Sequence, residues 1–265
     1  MSQSNIKLSV HKVGFISPPA WFDISPTEFL CIAPNNTIVM QTIMRLPDFY
    51  YGVEHFIGSV PELSICFQSL AAAGADAIAQ FGFPFSFVHG WKKAQQIQKD
   101  IQNNIGPHFV MMGVEVVYAL RHLNCKSIAV ASTYYSDKMA KILHEYLTEA
   151  GLNISRIENW QSQGIAKGTE SEIFIGEGEF DPMDWATPVQ AAEKAIRGVS
   201  NNAPSADCIL VTGGGIRLLD IVERLEKELG KPIIGGDLSL YWGILKRLGV
   251  KESIKGHGRL LANLV

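Results

Sequence analysis

The stretch that most constrains the fold runs from Cys208 to Asp220 and reads Cys-Ile-Leu-Val-Thr-Gly-Gly-Gly-Ile-Arg-Leu-Leu-Asp. An apolar run breaks at three consecutive glycines and resumes with helical spacing, which predicts a buried strand, a tight loop and a helix start. Glycine permits positive φ and lets a ligand approach the main-chain N–H groups. The helix would add its positive N-terminal end to those groups. The stretch therefore predicts an anion-binding crevice at the carboxyl end of a parallel strand.

The chemistry of that anion is limited by the spacing of the glycines. The loop is neither G-x-G-x-x-G nor G-x-x-x-x-G-K-[ST], so a dinucleotide and a P-loop phosphate are disfavoured. A small carboxylate fits better. The alternative is a structural strand-to-helix turn that binds no ligand.

Composition narrows the classes of partner. The 265 residues carry a net charge of -3, so no basic excess points to nucleic acid. No apolar run reaches the roughly 18 to 20 residues of a membrane helix, and no secretory signal is visible, so we expect a cytoplasmic protein without a membrane partner. The cysteines are scattered, with no C-x-x-C and no pairing with nearby histidines of the kind that indicates zinc, which predicts reduced structural thiols and no metal; they are Cys31, Cys66, Cys125 and Cys208.

Strands alternate with helices along the chain, which predicts an α/β protein with mostly parallel sheets. Two local predictions bear on the site. Ser25 has the position of a helix N-cap before Pro26, and residues 216–229 have the spacing of an amphipathic helix directly after the glycines. A run of alternating aromatic residues follows a strand at 75–81 and would face either the core or an apolar pocket; it comprises Phe81, Phe83, Phe85 and Phe87.

A short internal repeat divides the chain into two similar halves. Residues 74–82 read Gly-Ala-Asp-Ala-Ile-Ala-Gln-Phe-Gly, and residues 205–213 read Ser-Ala-Asp-Cys-Ile-Leu-Val-Thr-Gly. Each half places a glycine, Gly82 or Gly213, where its strand becomes a loop. We therefore predict two lobes related by pseudo-two-fold symmetry, with residues 1–113 and 242–265 in the first, residues 114–241 in the second, and a ligand cleft between Gly82 and Gly213.

Several short motifs occur along the chain in an order that is characteristic of a known family. They are Pro18-Pro-Ala20, Gly82 with Ser86-Phe-x-x-Gly90, Ala131-Ser-Thr-Tyr-Tyr-Ser-Asp137, Gly213-Gly-Gly215 with Leu219-Asp220, Tyr241-Trp242 and Gly258-Arg-Leu260. In these motifs the chain resembles the aspartate/glutamate racemase superfamily, and most closely its arylmalonate decarboxylase and maleate isomerase branch. The resemblance covers nearly the whole chain.

The resemblance implies cofactor-independent proton chemistry next to a carboxylate, in a site between two similar lobes. In the family, a cysteine after the strand of one or both lobes donates or removes the proton. Here Gly82 and Gly213 occupy both positions, which argues against racemisation by two opposed thiols. Phe83 and Pro84 also stand where arylmalonate decarboxylases carry hydroxyl residues. Only half of the expected carboxylate-binding loop is therefore retained.

The remaining candidates follow from the same resemblance. Tyr134 matches the family's tyrosine and would stabilise an enediolate, and Thr212 would hydrogen-bond the same oxygen or act as a weak acid through water. The alternatives are that the Tyr134 hydroxyl lies in water at a strand end and that Thr212 caps the loop. The predicted substrate-binding residues are Gly82, Phe83, Ser86, Tyr135, Gly213, Gly214 and Gly215. The alternating phenylalanines would desolvate a carboxylate and favour loss of carbon dioxide.

Protonation still requires an acid, and two ionisable residues near the loop ends could supply it. They are His89 and Asp237, although the favoured account of each is an exposed loop residue. The favoured function is an arylmalonate-type decarboxylase, or a related isomerase, working through an enediolate with a non-cysteine acid. The alternatives are a non-catalytic protein that binds small carboxylates, and a hydrolase or hydratase using activated water. The sequence leaves homodimer formation open.

Overall fold

In the part of the chain that the structure describes, eight short strands form two separate parallel sheets. In the computed structural model, the described residues are 10–19, 23–46, 48–50, 52–103, 106–133, 136–165, 189–213 and 215–264. The first sheet has the order β2-β1-β3-β4, with β1 His11–Ser17, β2 Thr37–Ile43, β3 Ala77–Gln80 and β4 His108–Met111. The second has the order β6-β5-β7-β8, with β5 Ser127–Ala131, β6 Asn153–Glu158, β7 Cys208–Val211 and β8 Ile233–Gly235. The predicted class, two α/β lobes with parallel sheets, is confirmed.

Helices flank both sheets. They are α1 Ser25–Leu30, α2 Val53–Gly58, α3 Val60–Ala72, α4 Pro84–Phe87, α5 Trp91–Gln102, α6 Met112–His122, α7 Asp137–Glu149, α8 Val189–Asn202, α9 Val222–Leu229, α10 Gly236–Arg247 and α11 Gly258–Ala262. None of the helices in these ranges is long and apolar enough to cross a bilayer. The inner strands β3 and β7 are buried along their whole length, as expected for parallel strands covered on both faces.

The aspartate that both copies of the internal repeat carry makes equivalent hydrogen bonds in the two sheets. Asp76, just before β3, accepts a hydrogen bond from the Lys12 N–H at 2.8 Å. Asp207, just before β7, accepts from the Lys126 and Ser127 N–H groups at 3.0 and 3.1 Å. Each aspartate therefore satisfies backbone donors at the start of the neighbouring strand, which explains why both halves carry it.

Two helices join the sheets. Helix α6 follows β4 of the first sheet and α10 follows β8 of the second, and the two pack against each other. Helix α10 also packs on β3 and β4, while α6 packs on β8. A bidentate ion pair links them, since the Arg247 guanidinium donates to both oxygens of the buried Glu115 at 2.7 and 2.8 Å. The lobe boundaries, placed between residues 113 and 114 and between residues 241 and 242, remain a prediction.

Two helix predictions need correction. Ser25 is not the N-cap of α1: that residue is Ile24, and the neighbouring Asp23 carboxylate accepts the Ser25 N–H at 2.8 Å instead. The helix expected from residue 216 begins only at Val222. Between Gly215 and Val222 the chain stays irregular because it buries Ile216, Leu218 and Leu219. The prediction that a helix begins directly after the glycines and adds its positive N-terminal end to the loop N–H groups is therefore wrong.

The alternating phenylalanines lie in the core. Their segment is not extended, because residues 84–87 turn into the short helix α4. Phe83 meets Phe87 edge to face at 5.3 Å between ring centroids, and Phe85 meets Phe56 in the same way at 4.8 Å. All four rings are no more than 2% exposed. Of the two predicted environments for these rings, the core and an apolar pocket, the structure shows the core.

Candidate active site

Buried polar atoms without partners follow the carboxyl ends of strands from both sheets. Among the described residues they include Ser25 Oγ, Gln80 Oε1, Ser132 Oγ, Thr133 Oγ1, Thr212 Oγ1 and Asp237 Oδ1. These residues come after or at the ends of β1, β3, β5, β7 and β8. Buried polar groups in proteins are almost always hydrogen-bonded. The set therefore indicates a site where a ligand or water supplies the missing partners, at the strand edge where open parallel sheets bind ligands.

The two glycine loops have the same geometry. Gly82 has φ +106° and Gly213 has φ +111°, conformations that L-residues rarely adopt. A Cβ on Gly213 would lie 2.4 Å from Thr133 Oγ1, and one on Gly82 would lie 2.9 Å from the Phe85 ring. Both positions are therefore shaped for glycine. A cysteine substituted at either would not fit without rearrangement.

The sheet registers place Asp237 beside the second glycine loop. Val211 of β7 pairs with Gly235 of β8, so Gly213 and Asp237 each lie two residues beyond the last pair. Neighbouring strands lie about 4.8 Å apart. In the first half, Gln80 pairs with Met111, and the residue equivalent to Asp237 is a glycine. The second half thus carries a carboxyl group where the first has none.

Asp237 is an unusual carboxyl group. It is 4% exposed, and no hydrogen-bond partner of its Oδ1 is found among the described residues. Burial, reinforced by the nearby carboxyl groups of Glu28 and Asp23, raises the pKa of Asp237 well above its usual range. A carboxyl group whose pKa is raised by burial keeps its proton to higher pH than usual, which suits it to donate a proton.

Two more buried acids approach from the chain that follows β1. Asp23 accepts from Ser17 Oγ at 2.7 Å, and Tyr241 donates its hydroxyl to Glu28 Oε2 at 2.8 Å. Asp237 and Tyr241 stand four residues apart on α10 and so share one face of that helix, which brings Glu28 to the Asp237 side. Burial raises the pKa of both Asp23 and Glu28. The site is therefore a cluster of carboxyl groups whose burial favours the protonated form.

A small cavity of about 90 Å³ adjoins this cluster. Its lining includes Glu28, Arg217, Asp220 and His257. Arg217 opposes the effect of burial on Glu28 by lowering the pKa of that carboxyl group. The cavity therefore brings Arg217 and His257 of the second half of the chain next to Glu28.

Two of the predicted substrate-binding side chains have other partners. The Gly113 N–H donates to Ser86 Oγ at 3.2 Å, and the Phe83 ring meets Tyr146 of α7 edge to face at 6.1 Å. Gly215 has φ +72° and is buried. Tyr134, Tyr135 and Gly214 lie outside the described residues. Substrate contacts by these residues remain predictions.

His89 has a different environment from Asp237. It is partly exposed, and burial together with the charge of Lys93 on α5 lowers its pKa. The next turn is held to α7, because the Trp91 N–H donates to Glu149 Oε2 at 2.7 Å. The charged neighbour of His89 is therefore a lysine, whereas those of Asp237 are the carboxyl groups of the candidate site.

Sequence reasoning missed several residues of this site. Asp23 and Glu28 carry no motif of their own, and Ser132 and Thr133 lie in the Ala131–Asp137 motif but were not singled out as site residues. A further signal was Tyr241, which belongs to the Tyr241-Trp242 motif. Its partner Glu28 is separated from it by most of the chain, and only the fold brings them together.

Comparison with known proteins identifies the family. The family model described as arylmalonate decarboxylase matches residues 13–173 and 180–261. The chain belongs to the arylmalonate decarboxylase family. The curated arylmalonate decarboxylase of Bordetella bronchiseptica is 24% identical over 253 residues, covering 95% of this chain and 97% of the relative. The maleate isomerase of Nocardia farcinica is 26% identical over 146 residues, 55% of this chain and 51% of that protein.

Solved structures share the fold of this family member. An unliganded arylmalonate decarboxylase superposes with a TM-score of 0.77 at 20% identity, covering 96% of this chain and 99% of the other. The maleate cis-trans isomerase of Nocardia farcinica bound to TRIS gives a TM-score of 0.78 at 18% identity, with 96% and 98% covered. At these identities the likeness concerns the fold, and the chemistry must be argued from the residues of this family member.

Proposed function

We propose that the chain is a cofactor-independent enzyme that acts on a small carboxylic acid through an enediolate, as a decarboxylase or a related isomerase, with Asp237 as the acid. The observation that carries the proposal is the Asp237 carboxyl group, which is buried, lacks a partner for Oδ1 among the described residues, and has a raised pKa. The family supports the reaction class, because the matched relatives are a decarboxylase and an isomerase by name.

In the proposed decarboxylation, hydrogen-bond donors bind the substrate and a separate acid supplies the proton. The hydroxyl groups of Ser132, Thr133 and Thr212, which lack partners among the described residues, hold the substrate carboxylate that is retained. The bond from the α-carbon to the other carboxylate breaks, carbon dioxide leaves, and the electron pair remains as the enediolate. The proton on Asp237 then moves to the α-carbon. Water returns a proton to the Asp237 carboxylate.

A thiol is not part of this proposal. The Nocardia farcinica maleate cis-trans isomerase has been solved, as a mutant, with a covalently bound succinylcysteine intermediate. In the present chain the resemblance puts glycines at both thiol positions, and the contacts around Gly82 and Gly213 leave no room for a larger side chain. The proton must therefore come from another group. Asp237 is favoured over His89 because its charged neighbours are the carboxyl groups of the site.

The test is proton NMR of the purified protein in D₂O with arylmalonates, α-aryl acids, maleate and acidic amino acids. We expect deuterium to enter the α-position, or carbon dioxide to be released, with at least one of these acids. Asp237→Asn should lower kcat by about 100-fold or more, because general acid catalysis contributes roughly 10²- to 10⁴-fold. Asp100→Asn, which changes an exposed aspartate on α5, is the matched control.

The outcomes also separate the alternatives. Line broadening of a carboxylic acid without exchange or release would indicate a binding protein. Loss of exchange in His89→Gln but not in Asp237→Asn would transfer the acid role to His89. Addition of water, or hydrolysis of an ester or amide in the same panel, would support the hydrolase or hydratase alternative.

The proposal includes a cytoplasmic location and homodimer formation. Four free cysteines, Cys31, Cys66, Cys125 and Cys208, support a reducing compartment. Ile38 and Met40 on the edge strand β2 are more than half exposed and offer an apolar face to a second copy. Light scattering coupled to size-exclusion chromatography would measure the oligomeric state.

A further inference from the structure

A second cluster of reactive side chains lies at the opposite end of the second sheet. Cys125, Asp207 and Cys208 place their ligand atoms within 4.8 Å of one another. The three residues precede or begin β5 and β7, whereas the candidate active site lies beyond the carboxyl ends of these strands. Cys208 is fully buried, Cys125 is 5% exposed, and Asp207 faces solvent. The cluster is thus enclosed on the sulfur side and open on the carboxylate side.

The internal repeat shows that the thiols are not needed for the fold at this point. Val13 pairs with Ala77 and Ile128 pairs with Cys208, so Ala77 corresponds to Cys208 and Val10 to Cys125. Asp76 in the first half makes the strand-start hydrogen bond that Asp207 makes in the second. The first half therefore achieves the same local structure with alanine and valine, and the second half adds two sulfur atoms beside the shared aspartate.

We propose that Cys125, Asp207 and Cys208 bind one Zn²⁺ ion. Zn²⁺ prefers tetrahedral sites with Zn–S near 2.3 Å and Zn–O near 2.0 to 2.2 Å, which puts the ligand atoms roughly 3.5 to 3.8 Å apart. The separations within the cluster, all no greater than 4.8 Å, reach this geometry with small side-chain rotations. Water completes the fourth position on the exposed Asp207 side.

The surroundings of the cluster suit a cation. The Lys126 and Ser127 N–H groups bind the Asp207 carboxylate and fix its orientation, as groups around a metal site commonly do for a ligating carboxylate. Zn²⁺ replaces the two thiol protons, which pass to water, and leaves two thiolates bound to the ion. The bound ion would crosslink the starts of β5 and β7.

The test uses Co²⁺ as a spectroscopic substitute for Zn²⁺ with the reduced full-length protein. We expect a sulfur-to-cobalt charge-transfer band and intense visible bands of tetrahedral Co²⁺, saturating at one ion per chain and lost when Zn²⁺ is added. Saturating Zn²⁺ should also raise Tm by about 5 °C, because binding at 100 times Kd stabilises a domain of this size accordingly.

The internal repeat supplies matched variants. Cys208→Ala and Cys125→Val introduce the residues of the first half, so they should fold and should abolish the charge-transfer band. Asp207→Asn should weaken Co²⁺ binding by at least about 10-fold. Asp76→Asn removes the equivalent aspartate of the first half, and Cys66→Ser removes a buried thiol elsewhere; both should leave the spectrum unchanged.

Three results would overturn the proposal. The first is the absence of a charge-transfer band with the reduced protein at millimolar Co²⁺. The second is a band that persists in Cys208→Ala or disappears equally in Cys66→Ser. The third is a Cys125–Cys208 disulfide in the protein as isolated, seen as the loss of two hydrogens by intact mass, together with no uptake of Zn²⁺ after reduction.

Discussion

Gly213 combines two constraints that usually occur separately. Its φ of +111° excludes most L-residues, and the space above its Cα is already filled by Thr133, with Oγ1 at 2.4 Å and Cγ2 at 2.6 Å from an added Cβ. Gly151 has φ +79° but nothing within 4 Å of an added Cβ. The comparison of these two glycines separates backbone strain from steric overlap.

We expect Gly213→Ala to lower the free energy of unfolding by about 2 to 5 kcal/mol, since backbone strain costs about 1–2 and overpacking about 1–3 kcal/mol. Gly151→Ala should cost only the backbone part, about 1–2 kcal/mol. Thr133→Ala should recover part of the loss in a double mutant, because it removes both close atoms. Urea denaturation of Gly213→Ala, Gly151→Ala, Thr133→Ala and the Gly213→Ala/Thr133→Ala double mutant provides the measurement. Equal losses in Gly213→Ala and Gly151→Ala would contradict the packing argument.

Asp237 should also affect stability as a function of pH. Because its pKa is higher in the folded than in the unfolded protein, its contribution is complete below the unfolded value near 3.8 and is lost as pH rises towards the folded value. Between these two pKa values, the free energy of unfolding falls by at most about 1.4 kcal/mol per pH unit, because one proton is involved.

We therefore expect Asp237→Asn to become progressively more stable than the unaltered protein as pH rises above the unfolded pKa of Asp237, near 3.8. Calorimetric Tm values at a series of pH values measure the difference. Asp100→Asn, at an exposed position on α5, is the control. A constant difference between Asp237→Asn and the unaltered protein at every pH would mean that Asp237 ionises normally.

At the scale of elements, the contact between α6 and α10 depends on a buried ion pair and on a glycine. Glu115 is fully buried and holds Arg247, whose side chain is 25% exposed. An added Cβ at Gly243 would lie 2.6 Å from Glu115 Oε2, so only glycine allows α10 to approach this carboxylate. Burial raises the pKa of Glu115 although Arg247 acts against it. The pair thus fixes how the helices cross.

We expect Glu115→Gln to destabilise the protein by about 3 kcal/mol, the lower end of the cost of breaking a buried pair, because Arg247 retains some access to water. Glu193→Gln is the comparison: Glu193 pairs with Arg197 and Arg224 on the surface of α8 and α9, where an exposed pair contributes about 1 kcal/mol or less. Chemical denaturation of the two variants provides the measurement. Similar losses for both would show that burial of Glu115 has no special cost.

At the scale of the whole molecule, features that depend on adjacent residues could be predicted from the sequence. Features that depend on contacts between distant residues could not. The strands at 208–211 and 77–80, and the glycines that follow them, were predictable because apolar runs and turn residues are adjacent in sequence. The delayed start of α9 was not, because only tertiary packing of Ile216 and Leu218 keeps that segment out of a helix. The same limit hid the Glu28–Tyr241 bond and the cluster of Cys125 with Cys208, whose members lie far apart in the chain.

The crossing of α10 from one sheet to the other predicts how the molecule unfolds. Helix α10 follows β8 but covers β3 and β4, so the first sheet cannot bury its apolar face unless the second half of the chain is folded. We expect one calorimetric transition, with equal calorimetric and van't Hoff enthalpies, despite the two separate sheets. A fragment of residues 1–123 should bind 8-anilinonaphthalene-1-sulfonate and lack fixed tertiary structure, because it exposes the surface that α10 covers. Two resolved transitions, or a cooperatively folded fragment, would instead mean that each sheet is stable alone and that α10 only docks onto the first.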